Sequence, residues 1–453
     1  MSSEPARRPN LLLIMDDQHR FDFLGCAGAG FVRTPNMDRL AEQGVRFTHC
    51  CTNAPICAPA RIALATGMQP GHLGATGNDA MLPADRMTYY QRLRDHQYHV
   101  GCVGKLDLAK SDKYNGRHGD RPRAYGFGFT HPVECEGKMH AGGYPTPQGP
   151  YGFWLQEQGL YERFHQDYKE RQRQGWALAA HDSVLPADAF EDAYIGRRAA
   201  EWIERTPGDF PWHLFVSFVG PHDPYDPPAD YARRYRDAVI PPSVADMLEG
   251  KPAWARKRAL QAAPEQVAHA RRQYCASIEV IDDAVARILE ALERRGMREN
   301  TLIVFTSDHG EMLGDHGMFQ KHVPYEPSLR VPLICSGPGL PQGVTNATLV
   351  ELIDVNPTLC EWAGLPRQEG IHARSLAPLL RGERAVHRED VLSAEGPYRL
   401  LRTTRHKYVE YDGGETELYD LERDPHELEN LASRDSDLCK QLKARLHERL
   451  RNG

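Results

Sequence analysis

Apolar residues fall in short unbroken runs, each closed by a polar or glycine-rich step. Pro9 to Met15 reads as a fully buried strand ending at Asp16-Asp17. Thr34-Pro35 then offers an N-cap and a first-turn proline for a helix that stops at Gly44, and Val45 to Cys51 follows as a second strand. Further runs at Tyr98 to Val103, His213 to Val219, Thr301 to Thr306 and Val331 to Cys335 are separated by helical stretches. That alternation predicts an α/β fold with a mostly parallel central sheet sandwiched by helices. The clearest helix precedes Thr301. There Tyr274, Ile278, Ile281, Val285, Ile288 and Leu292 alternate spacings of four and three, which places them on one stripe, and Gly296 is a natural C-cap.

Between Lys105 and Pro186 the periodicity gives way to Gly, Pro, His and aromatic residues. The stretch is too long for a simple connection and reads as an insertion that shapes a binding site. After about Pro366 the pattern changes again. Tyr398 to Tyr411 and Thr416 to Leu421 read as successive antiparallel strands, followed by a basic amphipathic helix from about Ser436 to Leu450. We therefore expect a large α/β domain over residues 1–365 and a small C-terminal α+β subdomain over 366–453.

The 453-residue chain carries 62 acidic and 55 basic side chains, a formal charge of −7. With no basic stripe, nucleic acid and anionic membranes are not expected partners. Met1 to Asn10 is polar and the apolar run Leu11 to Met15 is too short for a signal segment or a membrane span, so the expected location is the cytoplasm. Self-association into a homo-oligomer is compatible with this composition. Ten scattered cysteines form neither a CxxC pair nor a disulfide spacing. By residue type alone each is a reduced, buried small hydrophobe, Cys57 included.

In an open parallel sheet ligands collect beyond the carboxyl ends of strands. Four places qualify. Asp16-Asp17 is a pair of carboxylates that would repel unless a cation or solvent separated them. Asp308-His309 ends another strand and offers an oxygen and a nitrogen ligand side by side, although an acid after a strand is more often a cap. His222 lies in the proline-stiffened Gly-Pro-His-Asp-Pro loop, as an aimed imidazole or as a surface histidine. Cys57-Ala58-Pro59-Ala60-Arg61 precedes a helix-compatible apolar run, so the sulfur gains from the helix dipole and Arg61 lies one turn away.

Taken in order, these segments resemble the type I sulfatases of the alkaline phosphatase superfamily. The resemblance runs from Pro-Asn-Leu-Leu-Leu-Ile-Met-Asp-Asp through Thr-Pro-Asn-Met-Asp-Arg-Leu-Ala and Cys-Ala-Pro-Ala-Arg. It continues through Gly104-Lys105, Pro-His-Asp-Pro-Tyr and Thr-Ser-Asp-His-Gly-Glu to the segment from Leu418 to Leu431. It implies that a formylglycine-generating enzyme oxidises Cys57 to formylglycine, whose hydrate is the nucleophile. It further implies that Asp16, Asp17, Asp308 and His309, with the modified Cys57, hold one divalent ion, Ca²⁺ or Mn²⁺, with Zn²⁺ or Fe²⁺ as alternatives. Arg61 would hold the hydrate, Lys105 and Lys321 the ester oxygens, and His222 would protonate the departing alcohol. Asn78 is either a substrate contact or a cap on its own backbone.

Three details depart from the family pattern or narrow it. Asp107 stands where a histidine is common, either as an ion-pair partner that orients Lys105 or as an acceptor for a substrate group, and Lys105, Lys110 or the metal would neutralise it. His309 replaces an asparagine, and Ala60 a serine, as in the branch that includes choline sulfatases and phosphonate monoester or phosphodiester hydrolases. The expected reaction is hydrolysis of a sulfate monoester of a small organic or carbohydrate substrate. The alternatives are phosphonate monoester or phosphodiester hydrolysis at the same site, and a non-catalytic binding protein with unmodified Cys57.

Overall fold

The structure is a computed structural model and describes residues 8–452. The start of the polar stretch Met1 to Asn10 lies outside the described residues. Eight strands form the large sheet: β1 (Asn10–Asp17), β2 (Gly44–Cys51), β3 (His99–Gly104), β4 (His131–Glu134), β5 (Trp212–Pro221), β6 (Thr301–Ser307), β7 (Arg330–Ser336) and β8 (Val344–Glu351). Their spatial order is β4-β3-β5-β1-β6-β7-β2-β8. Every neighbouring pair is parallel except those of β7, which runs antiparallel to both β6 and β2.

All eight side chains of β1 are buried because helices cover both faces. The strand's two-residue period splits them. Leu11, Leu13 and Met15 pack into the layer that contains Ile62, Leu64 and Ala65 of the helix Cys57–Thr66. Leu12 and Ile14 face the opposite layer, with Ile195 and Ile203 of the helix Glu191–Arg205 and Ile281, Val285 and Ile288 of the helix Pro264–Arg294. The stripe read from Tyr274 to Leu292 is fully buried, each aliphatic member contributing roughly 2 kcal/mol by leaving water. Gly296 ends it at φ +59°, its N–H donating to the carbonyl of Glu293.

The region from Lys105 to Pro186 is more regular than its sequence suggests. It adds the edge strand β4 and the helices Lys138–Gly143, Pro150–Glu157 and Tyr161–Gln174. Aromatic residues such as Tyr151, Phe164 and Tyr168 give these short helices their core in place of a long apolar stripe. Pro35 is the first residue of its helix, as expected, but the Thr34 hydroxyl donates to Asp38 and does not cap the helix. At the C-terminal end, β9 (Asp390–Glu395), β10 (Tyr398–Thr403), β11 (His406–Tyr411) and β12 (Thr416–Asp420) form an antiparallel sheet covered by the helix Ser436–Asn452. Among the described residues no helix is long and apolar enough to cross a membrane.

Candidate active site

The carboxyl ends of β1 and β6 and the N-terminus of the helix Cys57–Thr66 meet at one point. One ligand atom each from Asp17, Cys57, Asp308 and His309 lies within 4.8 Å of the others, and all four residues are buried. Strand alternation explains why the adjacent aspartates differ. Asp17 falls on the side of the helix Cys57–Thr66, whereas Asp16 leans to the other layer, where its Oδ2 pairs with His19 Nδ1 at 2.5 Å. The Oδ1 of Asp16 is buried without a hydrogen-bond partner.

Arg61 organises the two inner carboxylates. Its Nε donates to Asp308 Oδ2 at 2.8 Å and its Nη2 to Asp17 Oδ2 at 3.1 Å, while Nη1 donates to the carbonyl of Lys105 and to Ser217 Oγ. The Oδ1 atoms of both aspartates are left towards His309, whose Nε2 stands 3.8 Å and 3.6 Å from them and 3.2 Å from Cys57 Sγ. His309 Nδ1 donates to the carbonyl of Gly310 at 3.0 Å, so Nε2 keeps its lone pair for the cluster. Two carboxylate oxygens, an imidazole nitrogen and the position-57 side chain form a donor set that fits a divalent cation, whereas Asp16, expected among the ligands, turns to His19 and stands outside the set. Arg61 is bound to the two carboxylates of this set, and no hydrogen bond joins it to Cys57.

Cys57 opens its helix, and the N–H of Ala58 in the same turn donates to Asn78 Oδ1 at 3.1 Å. Asn78 thus caps the helix Cys57–Thr66, not its own backbone. Burial would push the Cys57 thiol up, but Lys105, Lys110 and Lys321 outweigh it and hold the sulfur well below its ordinary value.

Lys105 reaches the cluster because β3 ends in Gly104 at φ +108°, where a Cβ would stand 1.9 Å from the carbonyl oxygen of Ser217. Its Nζ lies 2.5 Å from Asp17 Oδ2 and 3.1 Å from Asp107 Oδ2, and Lys110 Nζ is 2.7 Å from the same Asp107 oxygen. Asp107 is therefore an ion-pair partner for two lysines. Burial raises its carboxyl, yet Lys105 and Lys110 more than offset this and hold it at about 2. A depressed carboxyl stabilises the fold above its unfolded value of 3.8, and the contribution fades as pH falls towards 2. We expect the Asp107→Asn variant to be less stable than the wild type by about 2 kcal/mol at neutral pH. Urea unfolding should show that gap closing between about pH 5 and pH 2. A gap that persists or widens at low pH would contradict the ion-pair role.

Lys321 and His222 face each other across the same hollow, Nζ to Nε2 at 2.5 Å, and His222 Nδ1 donates to the carbonyl of Asp223 at 2.6 Å. Lys321 also donates to Gln18 Oε1, and Gln18 Nε2 donates in turn to Asp223 and Glu311. Gln18 is fully buried at φ +73°, and its carbonyl accepts from Tyr274 Oη at 2.6 Å. Sequence reasoning missed this bridge, since a glutamine after two aspartates carries no ligand or turn signal. A pocket of about 280 Å³ opens above these groups, lined by Asn78, Lys105, Lys110, His140, Trp176 and His222 among others. A larger hollow of about 520 Å³ by Arg92, Arg367 and Arg374 holds no such constellation.

Known proteins resemble this chain in sequence and fold. Residues 9–365 match the family model described as Sulfatase, and residues 314–452 match one described as N-sulphoglucosamine sulphohydrolase, C-terminal. An arylsulfatase of Clostridium perfringens is 28% identical, with 94% of this chain and 90% of that protein covered. A choline-sulfatase of Rhizobium meliloti is 30% identical, with 94% and 82% covered. Among solved structures, the phosphonate monoester hydrolase of Agrobacterium radiobacter superposes with a TM-score of 0.82 at 26% identity, covering 98% of this chain and 96% of that one. With a family model spanning most of its length and relatives aligned along nearly all of it, the chain belongs to the sulfatase family and is a sulfatase enzyme on an alkaline phosphatase-like fold.

Proposed function

We propose that the protein hydrolyses a sulfate monoester of a small organic or carbohydrate substrate with a nucleophile made by oxidising Cys57 to formylglycine. The observation that carries this reading is the position of Cys57 Sγ, 3.2 Å from His309 Nε2 inside the donor cluster, with Lys105, Lys321 and His222 on the pocket side. The sulfur marks where the hydrate oxygens of the modified residue would stand. Such a hydrate supplies two hydroxyls on one carbon, one to attack sulfur and one to expel sulfate by restoring the aldehyde. Asp17, Asp308 and His309 would hold a divalent ion beside residue 57, and that ion would supply Lewis-acid chemistry there.

The chain's own residues do the rest. Lys105 and Lys321 carry ammonium groups at the pocket floor and offset the charge that grows on the non-bridging oxygens. His222 presents Nε2 beside Lys321 Nζ, so this pair holds a proton where the alcohol departs. Asp107, neutralised by its two lysines, does not repel the ester.

Phosphonate monoester or phosphodiester hydrolysis is the second reading, supported by the imidazole of His309 in the donor set and by the likeness to the phosphonate hydrolase. Mass spectrometry of the Cys57 peptide from protein co-expressed with a formylglycine-generating enzyme tests the nucleophile, and kcat/KM on paired aryl sulfate and aryl phosphonate esters tests the substrate. We expect the aldehyde mass and a higher kcat/KM for the sulfate. A persistent thiol under those conditions would overturn the nucleophile, and a phosphonate preference would promote the second reading.

A further inference from the structure

The loop that carries His222 is held by a lysine from the Lys105 to Pro186 region. Lys138 is only 3% exposed, and its Nζ makes three contacts, donating to the carbonyls of His222 at 2.9 Å and Pro224 at 2.8 Å and pairing with Asp226 Oδ1 at 2.7 Å. Two of these are hydrogen bonds and the third an ion pair, and all go to one short stretch of chain. Asp226 is fixed in turn by Tyr168 Oη at 3.0 Å, and the Phe190 ring lies 5.5 Å from the ammonium. The front of the loop has a separate anchor, since Asp192 Oδ1 accepts from the N–H groups of Val219 and Gly220. Pro221 and Pro224 have no N–H to donate, so the carbonyls beside them are the handles that remain.

We propose that Lys138 is a positioning residue for His222, setting the main chain of residues 222–226 so that the imidazole Nε2 reaches the leaving-group oxygen. Lys138 takes no part in proton transfer. Its ammonium satisfies two buried carbonyls and neutralises a buried carboxylate, and a displacement of about 1 Å at a proton donor is enough to cost on the order of 10²-fold. The proposal rests on the reading of His222 as general acid, and the test separates the two.

Full-length, formylglycine-bearing Lys138→Met, Asp226→Asn and His222→Ala variants would be compared on aryl sulfates with leaving groups from nitrophenol to unsubstituted phenol. His222→Ala should lose little on the nitrophenyl ester and about 10²- to 10⁴-fold on the phenyl ester. Lys138→Met should show the same trend with a smaller slope, Asp226→Asn a weaker one, and Lys138→Met should cost less than about twofold more in the His222→Ala background. Equal losses on all esters, or fully additive losses in the double variant, would overturn the proposal. If His222→Ala shows no leaving-group trend, the general-acid reading fails, and non-additivity with Lys138→Met still decides the positioning role. Hydrogen exchange, which needs no activity, gives a second readout. Amides of residues 219–226 should exchange at least about tenfold faster in Lys138→Met, or in Asp226→Asn if the first variant does not fold, while β6 stays protected. Unchanged exchange in that segment would also overturn it.

Discussion

Replacing Cys57 by serine is expected to abolish multiple turnover, lowering kcat on an aryl sulfate by about 10⁴-fold or more. Serine fits the first helical position and leaves the caps of the helix in place, so the loss would not reflect unfolding. It also keeps one hydroxyl among Asp17, Asp308 and His309, so the first attack on sulfur remains open. What it lacks is the second hydroxyl on the same carbon. Once the alcohol has left, sulfate remains on the serine, because the single oxygen cannot collapse to a carbonyl. Rapid-quench measurement should show a slow burst of roughly one alcohol per active site followed by a flat baseline. Sustained turnover would show that water attacks the sulfated enzyme directly, and the proposed role of the hydrate would fall with it.

The second large effect is expected at Arg61. Its guanidinium is 2% exposed, bound to Asp17, Asp308, Ser217 and the carbonyl of Lys105. An Arg61→Met substitution keeps much of the volume but leaves two buried carboxylates without their shared cation. Breaking a buried pair in this way costs about 3–5 kcal/mol. Because the same carboxylates present their other oxygens to the donor cluster, a divalent cation should replace part of the missing charge. We expect Arg61→Met to lower the urea midpoint strongly in chelator and to recover part of the loss in millimolar Mn²⁺ or Ca²⁺, with a larger metal response than the wild type. A variant as stable as the wild type in chelator, or one with no response to metal, would contradict this picture.

How much of this was legible in the sequence follows from how far each feature depends on its neighbours in the chain. β1, β3, β5, β6 and β7 are largely apolar runs bounded by polar steps, β2 mixes apolar with half-buried polar residues, and the long helix before Thr301 carries a stripe that only one face can bury, so local pattern was sufficient. β4, with the sequence His-Pro-Val-Glu, has no such run and exists because β3 offers it a parallel partner. β8, from Val344 to Glu351, is half exposed for the same reason, and its place at the edge is set by pairing with β2. The chemistry-bearing residues were found through motif resemblance, and the structure brings Asp17, Cys57, Asp308 and His309 to one point. Their supports were invisible. Gln18, Lys138, Ser217 and Asp192 act by contacting chain segments remote in sequence, and ordinary residue types leave no local mark of such contacts.

The reversal of β7 has a consequence for how the site is inherited. Since β6 leaves the sheet at the catalytic edge and β7 re-enters from that same edge, the chain between them never crosses to the far side. Asp308, His309, Glu311, Gln320 and Lys321 all ride on this one excursion, with the carboxylate of Glu311 accepting from the N–H of Gln320 to close its neck. The donor pair and the lysine proposed to meet the ester oxygens are thus carried as a single cassette. A recombination or grafting event between the ends of β6 and β7 would transfer both together, whereas a change in the length of the excursion would part them without disturbing either strand.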